Sequence, residues 1–151
     1  MKKGVDYIGV GVGAVIVDRQ GKIFLSKRGK DAYNEKGKWE CPGGAMHLGE
    51  TFEQTIIREI QEEFGFTIIP IKQLEPFNHL IPEEKQHWVA LCFISIIKKG
   101  KPIIVEKNKC EEIGWFTLSE MEKMELTTAT RHRLKQLKEK YPNGLPSFYE
   151  R

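Results

Sequence analysis

Residues 44–66 read GAMHLGETFEQTIIREIQEEFGF. Thr51 and Gln54 have the T-x-x-Q spacing of a capping box. Glu50 and Glu53 favour the positive end of a helix dipole, and Gly65 is placed to accept the left-handed conformation that ends a helix. The pattern predicts a helix starting at Thr51 and closed by Gly65, with Phe52, Ile56, Ile57, Ile60 and Phe64 as its apolar stripe. At about 100° per residue, Glu59, Glu62 and Glu63 fall within an arc of about 100° on one face. Three carboxylates so placed form either a solvated acidic face or a cation site. Hard oxygen ligands without soft Cys or His partners favour Mg²⁺ or Mn²⁺ over zinc.

Working outward, residues 8–17 and 22–27 are rich in Val, Ile and Phe, and Asp18-Arg-Gln-Gly21 between them reads as a hairpin turn. Residues 29–38 are polar and read as a loop. Residues 66–79 predict one or two strands broken at Pro70 and Pro76, residues 82–86 a turn, and residues 88–97 a buried strand. A short strand at 112–117, a short helix at 118–123 and a closing helix at 127–140, with Leu134 and Leu137 inward, complete the chain. The tail, residues 141–151, is expected to be mobile. Many strands with two substantive helices, and no regular βαβ alternation, indicate an α+β layered fold in a single domain, residues 1–151.

The 151 residues are 40% apolar and 30% charged, with a net charge of +3. That charge is too small to argue for a nucleic-acid or membrane partner. The longest apolar run is too short to span a bilayer. Asp6 and the alternating glycines after it favour a strand over a signal peptide at the start of the chain. Cys41, Cys92 and Cys110 are odd in number and scattered, and read as reduced thiols in a cytoplasmic protein.

Gly44, Glu50, Arg58-Glu59, Ile60, Glu62-Glu63, Gly65 and Phe66 together resemble the box of the Nudix hydrolases, which cut a diphosphate linked to another moiety. The box spans residues 44–66 with every defined position filled. The resemblance implies an α/β/α sandwich with a mixed central sheet. It implies metal binding by Glu59, Glu62 and Glu63 with the carbonyl of Gly43, and a structural brace between Glu50 and Arg58. Cys110-Glu111-Glu112 resembles the downstream stretch that supplies a distant general base in some members, which points to Glu111. Others use a glutamate inside the box. Lys27-Arg28 lies where the family often offers a cation to the phosphates, and Arg28 is the choice for that role.

Further pieces resemble the small MutT-like nucleoside-triphosphate branch: Gly9-Val-Gly-Val-Gly-Ala-Val-Ile16, Lys85-Gln-His-Trp-Val-Ala90 and Lys109-Cys-Glu-Glu-Ile-Gly-Trp115. The implied reaction turns a (d)NTP or modified dNTP into the monophosphate and pyrophosphate. Other enzyme readings are hydrolysis of ADP-ribose, for which Pro82 has a suitable spacing, of a dinucleoside polyphosphate and of a capped RNA end. A reading of another class is a catalytically silent nucleotide-sensing domain. The expected partner is a small nucleotide, bound by a monomer or homodimer. Residues 55–57 are Thr-Ile-Ile where many relatives place a small alanine. Trp39 and Trp88 read as packing residues, and His79 and His132 as loop and helix-surface histidines.

Overall fold

The computed structural model describes residues 1–149. Among them eight strands form one mixed sheet: β1 (Gly9–Val17), β2 (Ile23–Arg28), β3 (Trp39–Glu40), β4 (Gly43–Ala45), β5 (Thr67–Gln73), β6 (Phe77–Ile81), β7 (Gln86–Lys99) and β8 (Cys110–Phe116). The helices are α1 (Phe52–Phe64), α2 (Leu118–Glu122) and α3 (Thr128–Lys140). The main strand order is β3-β2-β1-β7-β5, with β4 on β1, β6 on β7 and β8 on β2. β1 and β7 run parallel over nine paired residues, Gly9↔Trp88 to Val17↔Ile96, and the other pairs are antiparallel. Among the described residues no helix is long and apolar enough to cross a membrane.

Side chains alternate across each strand, so one sheet carries two cores. Val12, Ala14, Ile16 and Phe24 face α1, which covers them with Ile56, Ile60 and Phe64. Val15, Val17, Ile23 and Leu25 face α2 and α3, where Met121, Leu134 and Leu137 are buried. This is the α/β/α sandwich that the box implies. Phe24 meets Phe64, Phe66 and Trp115 with ring centroids 5.0, 5.7 and 5.4 Å away. That aromatic cluster pins the C-terminal end of α1, and cutting it at Phe24→Ala would cost about 3–5 kcal/mol.

β1 splits its pairing. Its last residue starts the hairpin to β2, whereas Gly11, Val12 and Gly13 pair with Ala45, Gly44 and Gly43 of β4. The approach at Gly43 is close: a Cβ there would lie 2.6 Å from the Val12 carbonyl oxygen. The start of the box is thus fastened to the central strand.

Several elements differ from the sequence reading. Phe52 is 39% exposed, and the fully buried residue of its turn is Thr55. Pro70 lies inside β5, where a register shift between Pro70 and Lys72 absorbs its missing donor at the sheet edge. β8 begins at Cys110 rather than 112. The tail is built into the fold as far as it is described. Tyr141, Leu145 and Phe148 pack on the α2/α3 core, and the Tyr149 hydroxyl donates to Val17 O at 2.6 Å and accepts from the Ile97 N–H at 2.9 Å. The expectation of mobility at residues 150 and 151 lies outside the described residues.

Candidate active site

α1 starts as its sequence requires. Thr51 accepts from the Gln54 N–H, the Gln54 side chain accepts from the Thr51 N–H, and Gly65 closes the helix at φ 69°. The segment after β7 then folds over the helix end. The Ile103 and Val105 N–H groups donate to the carbonyls of Phe64 and Glu63, at 2.9 and 3.2 Å, satisfying carbonyls that a helix end leaves open.

Glu50 and Arg58 join the loop before the helix to its middle. Arg58 donates through Nε to Glu50 Oε2 at 2.6 Å and through Nη2 to Glu50 Oε1 at 2.9 Å and Ala45 O at 3.1 Å. Its Nη1 reaches Glu59 at 2.8 Å and Glu62 at 3.3 Å. These bonds, with the His47 N–H and the Thr55 hydroxyl, hold the Glu50 carboxyl down at about 2, and the same carboxylates raise the proton affinity of Arg58. The Glu59 carboxylate lies directly over Gly44, where a Cβ would overlap it. A side chain at 44 would therefore push aside the carboxylate of the glutamate fifteen residues later.

Glu63 faces a cavity of about 410 Å³ that Glu40, Gly43, Glu106 and Lys109 also line. Burial first, then the negative charges of Glu59, Glu40 and Glu106, push its carboxyl up to about 8. Burial likewise raises Glu40, although Arg28 opposes the rise. Glu62 is more open, with 58% of its side chain exposed. Among the described residues no three His, Cys, Asp or Glu side chains converge, as they stand, tightly enough to hold a metal ion; Arg58 occupies the space between Glu59 and Glu62. The donor set itself suits a hard cation. It offers carboxylate oxygens and a glycine backbone, and Glu63 and Gly43 of the set line a cavity that Glu40 and Glu106 also line, with Lys109 and Arg28 as the cations in its wall.

A second cavity, of about 370 Å³, shares Arg28, Glu40, Pro42 and Gly43 with the first. Its walls are Gly11 and Gly13 of β1, Phe77 and His79 of β6, Trp88 of β7 and Arg133 of α3. Glycines on β1 make room for the indole: a Cβ on Gly9 would lie 2.5 Å from Trp88. Trp88 Nε1 donates to Gln86 Oε1 at 2.7 Å. Arg133, only 4% exposed, donates to Glu75 O, Ala90 O and Gln136 Oε1, and its guanidinium stacks on Phe77 at 4.6 Å. The cleft is thus aromatic, half-polar and joined to an acidic cavity.

The structure brings together Gly43, Glu50, Arg58, Glu59, Glu62 and Glu63, and it separates Glu111 from them. The register shifts between Lys27↔Glu112 and Arg28↔Cys110, so Glu111 is the extra, unpaired residue of a β-bulge. Its carboxylate pairs with Lys27 at 3.6 Å and lines neither cavity; Cys110 takes the place beside Glu63. Arg28 reaches both cavities, but its three nitrogens already donate to Asn34 O, Glu40 and Asn34 Oδ1. It clamps the 29–38 loop, and Lys109, which among the described residues pairs only with Glu106, at 3.1 Å, is the less committed cation.

Trp88 is a cleft wall rather than core, and His79 lies on a strand facing the same cleft. His132 stacks on Phe77 at 3.9 Å. Trp39 packs on Phe116 with centroids 5.0 Å apart, as a packing residue should. Glu40 and Glu106 were not singled out by the sequence. Alternation along Trp39-Glu40 hints that the two side chains face opposite ways, but no local signal places Glu106 beside Glu63.

The NUDIX domain family matches residues 8–138. An 8-oxo-dGTP diphosphatase of Proteus vulgaris is 29% identical over 96 residues, 64% of this chain and 82% of that protein. Another, from Escherichia coli, is 36% identical over 69 residues, 46% of this chain and 53% of that protein, so the match spans about half the relative's length. An ADP-ribose pyrophosphatase of Methanocaldococcus jannaschii is 28% identical over 72% of this chain and 62% of its own length. The crystal structure of a MutT NUDIX hydrolase from Burkholderia pseudomallei superposes with a TM-score of 0.79 at 37% identity, covering 86% of this chain and 98% of that one. A match that runs from before β1 into the last turn of α3 makes the chain a member of the NUDIX family, a hydrolase acting on phosphoric anhydrides.

Proposed function

We propose that the chain hydrolyses a nucleoside triphosphate, a (d)NTP or modified dNTP, to the monophosphate and pyrophosphate. The observation that carries this reading is the wall common to the two cavities, formed by Arg28, Glu40, Pro42 and Gly43. A base stacked near Trp88 and Phe77 would send its phosphates over Gly43 toward Glu63. Two relatives named 8-oxo-dGTP diphosphatase support the triphosphate class. The ADP-ribose pyrophosphatase relative supports the alternative of a diphosphate with a second head group.

Glu59, Glu62 and Glu63, with the Gly43 carbonyl, would hold Mg²⁺ or Mn²⁺. Such an ion supplies charge neutralisation at the phosphate oxygens and a lowered pKa for a bound water. The chain's own groups do the rest. Arg58 fixes Glu59 against Gly44, Lys109 offers its ammonium to the phosphates, and the aromatic cleft orients the nucleoside. The proton acceptor is a carboxylate lining the acidic cavity, Glu40, Glu63 or Glu106, in place of Glu111.

The test is a panel of NTPs, dNTPs, oxidised dGTP, ADP-ribose and diadenosine polyphosphates with Mg²⁺, following pyrophosphate and phosphate separately. A Glu62→Gln/Glu63→Gln double variant is the control. Pyrophosphate from a triphosphate, absent in the control, is the expected result. Turnover of ADP-ribose or diadenosine compounds alone would overturn the substrate class. Tight nucleotide binding without turnover would favour a sensor.

A further inference from the structure

Thr55 lies on α1 between Glu50 and Arg58, and none of the roles assigned so far uses it. Its side chain is completely buried. Its Oγ1 lies 3.1 Å from Glu50 Oε1 and 3.0 Å from Thr51 O, and both are acceptors. Bonding back to the carbonyl four residues earlier is open to any helical threonine. A carboxylate within reach is a different matter, because a hydrogen bond to an ionised acceptor is roughly twice as strong as a neutral one.

Glu50 is the next link. Oε1 also accepts from the His47 N–H and Arg58 Nη2, both at 2.9 Å, while Oε2 takes Arg58 Nε. With Thr55 the carboxylate accepts four hydrogen bonds from three residues, about as many as its lone pairs allow. It cannot rotate without breaking one. Arg58 is fixed in turn, and its Nη1 sets the position of Glu59.

We propose that Thr55 is a positioning residue for the carboxylates that would bind metal. Its hydroxyl locks the Glu50 rotamer, and Glu50 passes that constraint through Arg58 to Glu59. The inference rests on the metal-dependent reading of the site and adds a residue to it.

The test uses Thr55→Val, which keeps the shape and removes the hydroxyl, and Thr55→Ser, which restores the hydroxyl. Mn²⁺ binding to the full chain without nucleotide is measured by electron paramagnetic resonance. Thr55→Val is expected to bind Mn²⁺ about 10-fold more weakly, the lower end for a group supporting a metal ligand. Thr55→Ser should return to within about 3-fold of the wild type. In a Glu50→Gln background, Thr55→Val should add little, since the relay is already cut.

Thermal unfolding separates position from stability. A lowered Tm in Thr55→Val with wild-type Mn²⁺ affinity would overturn the proposal and leave Thr55 a packing residue. Equal losses from Thr55→Val in the wild-type and Glu50→Gln backgrounds would overturn the relay through Glu50. A wild-type chain that binds no Mn²⁺ would overturn the metal reading itself, and Thr55's role with it.

Discussion

The charged set of the box and the aromatic cavity that meets it at Gly43 are built in opposite ways. Glu50, Arg58, Glu59, Glu62 and Glu63 come from fourteen consecutive residues, and of these Glu63 lines the acidic cavity. The aromatic one takes Gly11 from β1, Phe77 from β6, Trp88 from β7 and Arg133 from α3. One helix can fix a set of charges to within a fraction of a turn because its geometry is local. A cleft gathered from four elements varies with each strand's register. The first arrangement suits chemistry that must stay constant, and the second suits recognition that can change while the chemistry is kept.

The sharpest way to break that contrast is Glu63→Gln. If the acidic cavity carries the reaction, turnover should fall by about 10³-fold or more, on the order of 4 kcal/mol of transition-state stabilisation. Retained turnover would remove Glu63 from the metal site. The same substitution should make the metal-free protein more stable at high pH. The Glu63 carboxyl is raised from 4.5 to about 8, so the folded chain holds a proton there that the unfolded chain has released. Between those values folded-state stability therefore declines as pH rises. Thermal melts in a chelator from pH 5 to 8 should show a shallower decline for Glu63→Gln, with a higher Tm than wild type at pH 8. A decline of equal slope would mean that burial of Glu63, with the charges of Glu59, Glu40 and Glu106 around it, does not hold a proton there.

Gly44→Ala probes the carboxylates of α1 through geometry alone. The added methyl would overlap the Glu59 carboxylate and force it aside. A displacement of about 1 Å in a catalytic constellation is worth about 10²-fold in rate. Circular dichroism should remain native while turnover falls by about that factor. Unchanged turnover would show that Glu59 tolerates displacement and that Glu62 and Glu63 suffice.

In the aromatic cleft the expected effects are smaller and of another kind. Trp88→Leu keeps apolar bulk but removes the stacking surface and the bond to Gln86. An aromatic stack contributes about 0.5–1.5 kcal/mol, so KM for a nucleotide should rise by about 3- to 10-fold with kcat within about 2-fold. A loss carried in kcat would show that the cleft takes part in chemistry and would dissolve the contrast.

The same contrast governs what the sequence made legible. The α1 capping box and its Gly65 terminus are both set by spacings within one helix, and both are present. The β1–β2 hairpin and the two-sided cores follow from local apolar patterning. Glu40 and Glu106 reach the cavity only because β3 lies beside β2 and the 100–109 segment folds over α1. No spacing along the chain encodes either approach. Thr55 was visible as a departure from alanine, but its use depends on where the Glu50 side chain turns back. Phe52 fits the apolar period, yet it sits on the first turn before the helix meets the sheet and stays exposed.

The smallest effect is predicted for Glu111→Gln, and it bears on the catalytic role that we propose to assign to the acidic cavity instead. The sequence around Glu111 suggests a distant base, but a period-two strand gives a residue its face only while the register holds. Between Lys27 and Arg28 the ladder slips by one residue, and Cys110 rather than Glu111 turns toward the acidic cavity. Glu111 keeps a half-exposed pairing with Lys27, and exposed pairs of this kind contribute about 0–1 kcal/mol. Glu111→Gln should therefore leave kcat and the pH–rate profile within about 2-fold of wild type. A profile whose basic limb disappears in Glu111→Gln would mean that the bulge rearranges when substrate binds and carries Glu111 to the phosphates. An unchanged profile leaves the proton to the carboxylates that already line the cavity, and Glu40→Gln and Glu106→Gln would then decide between them.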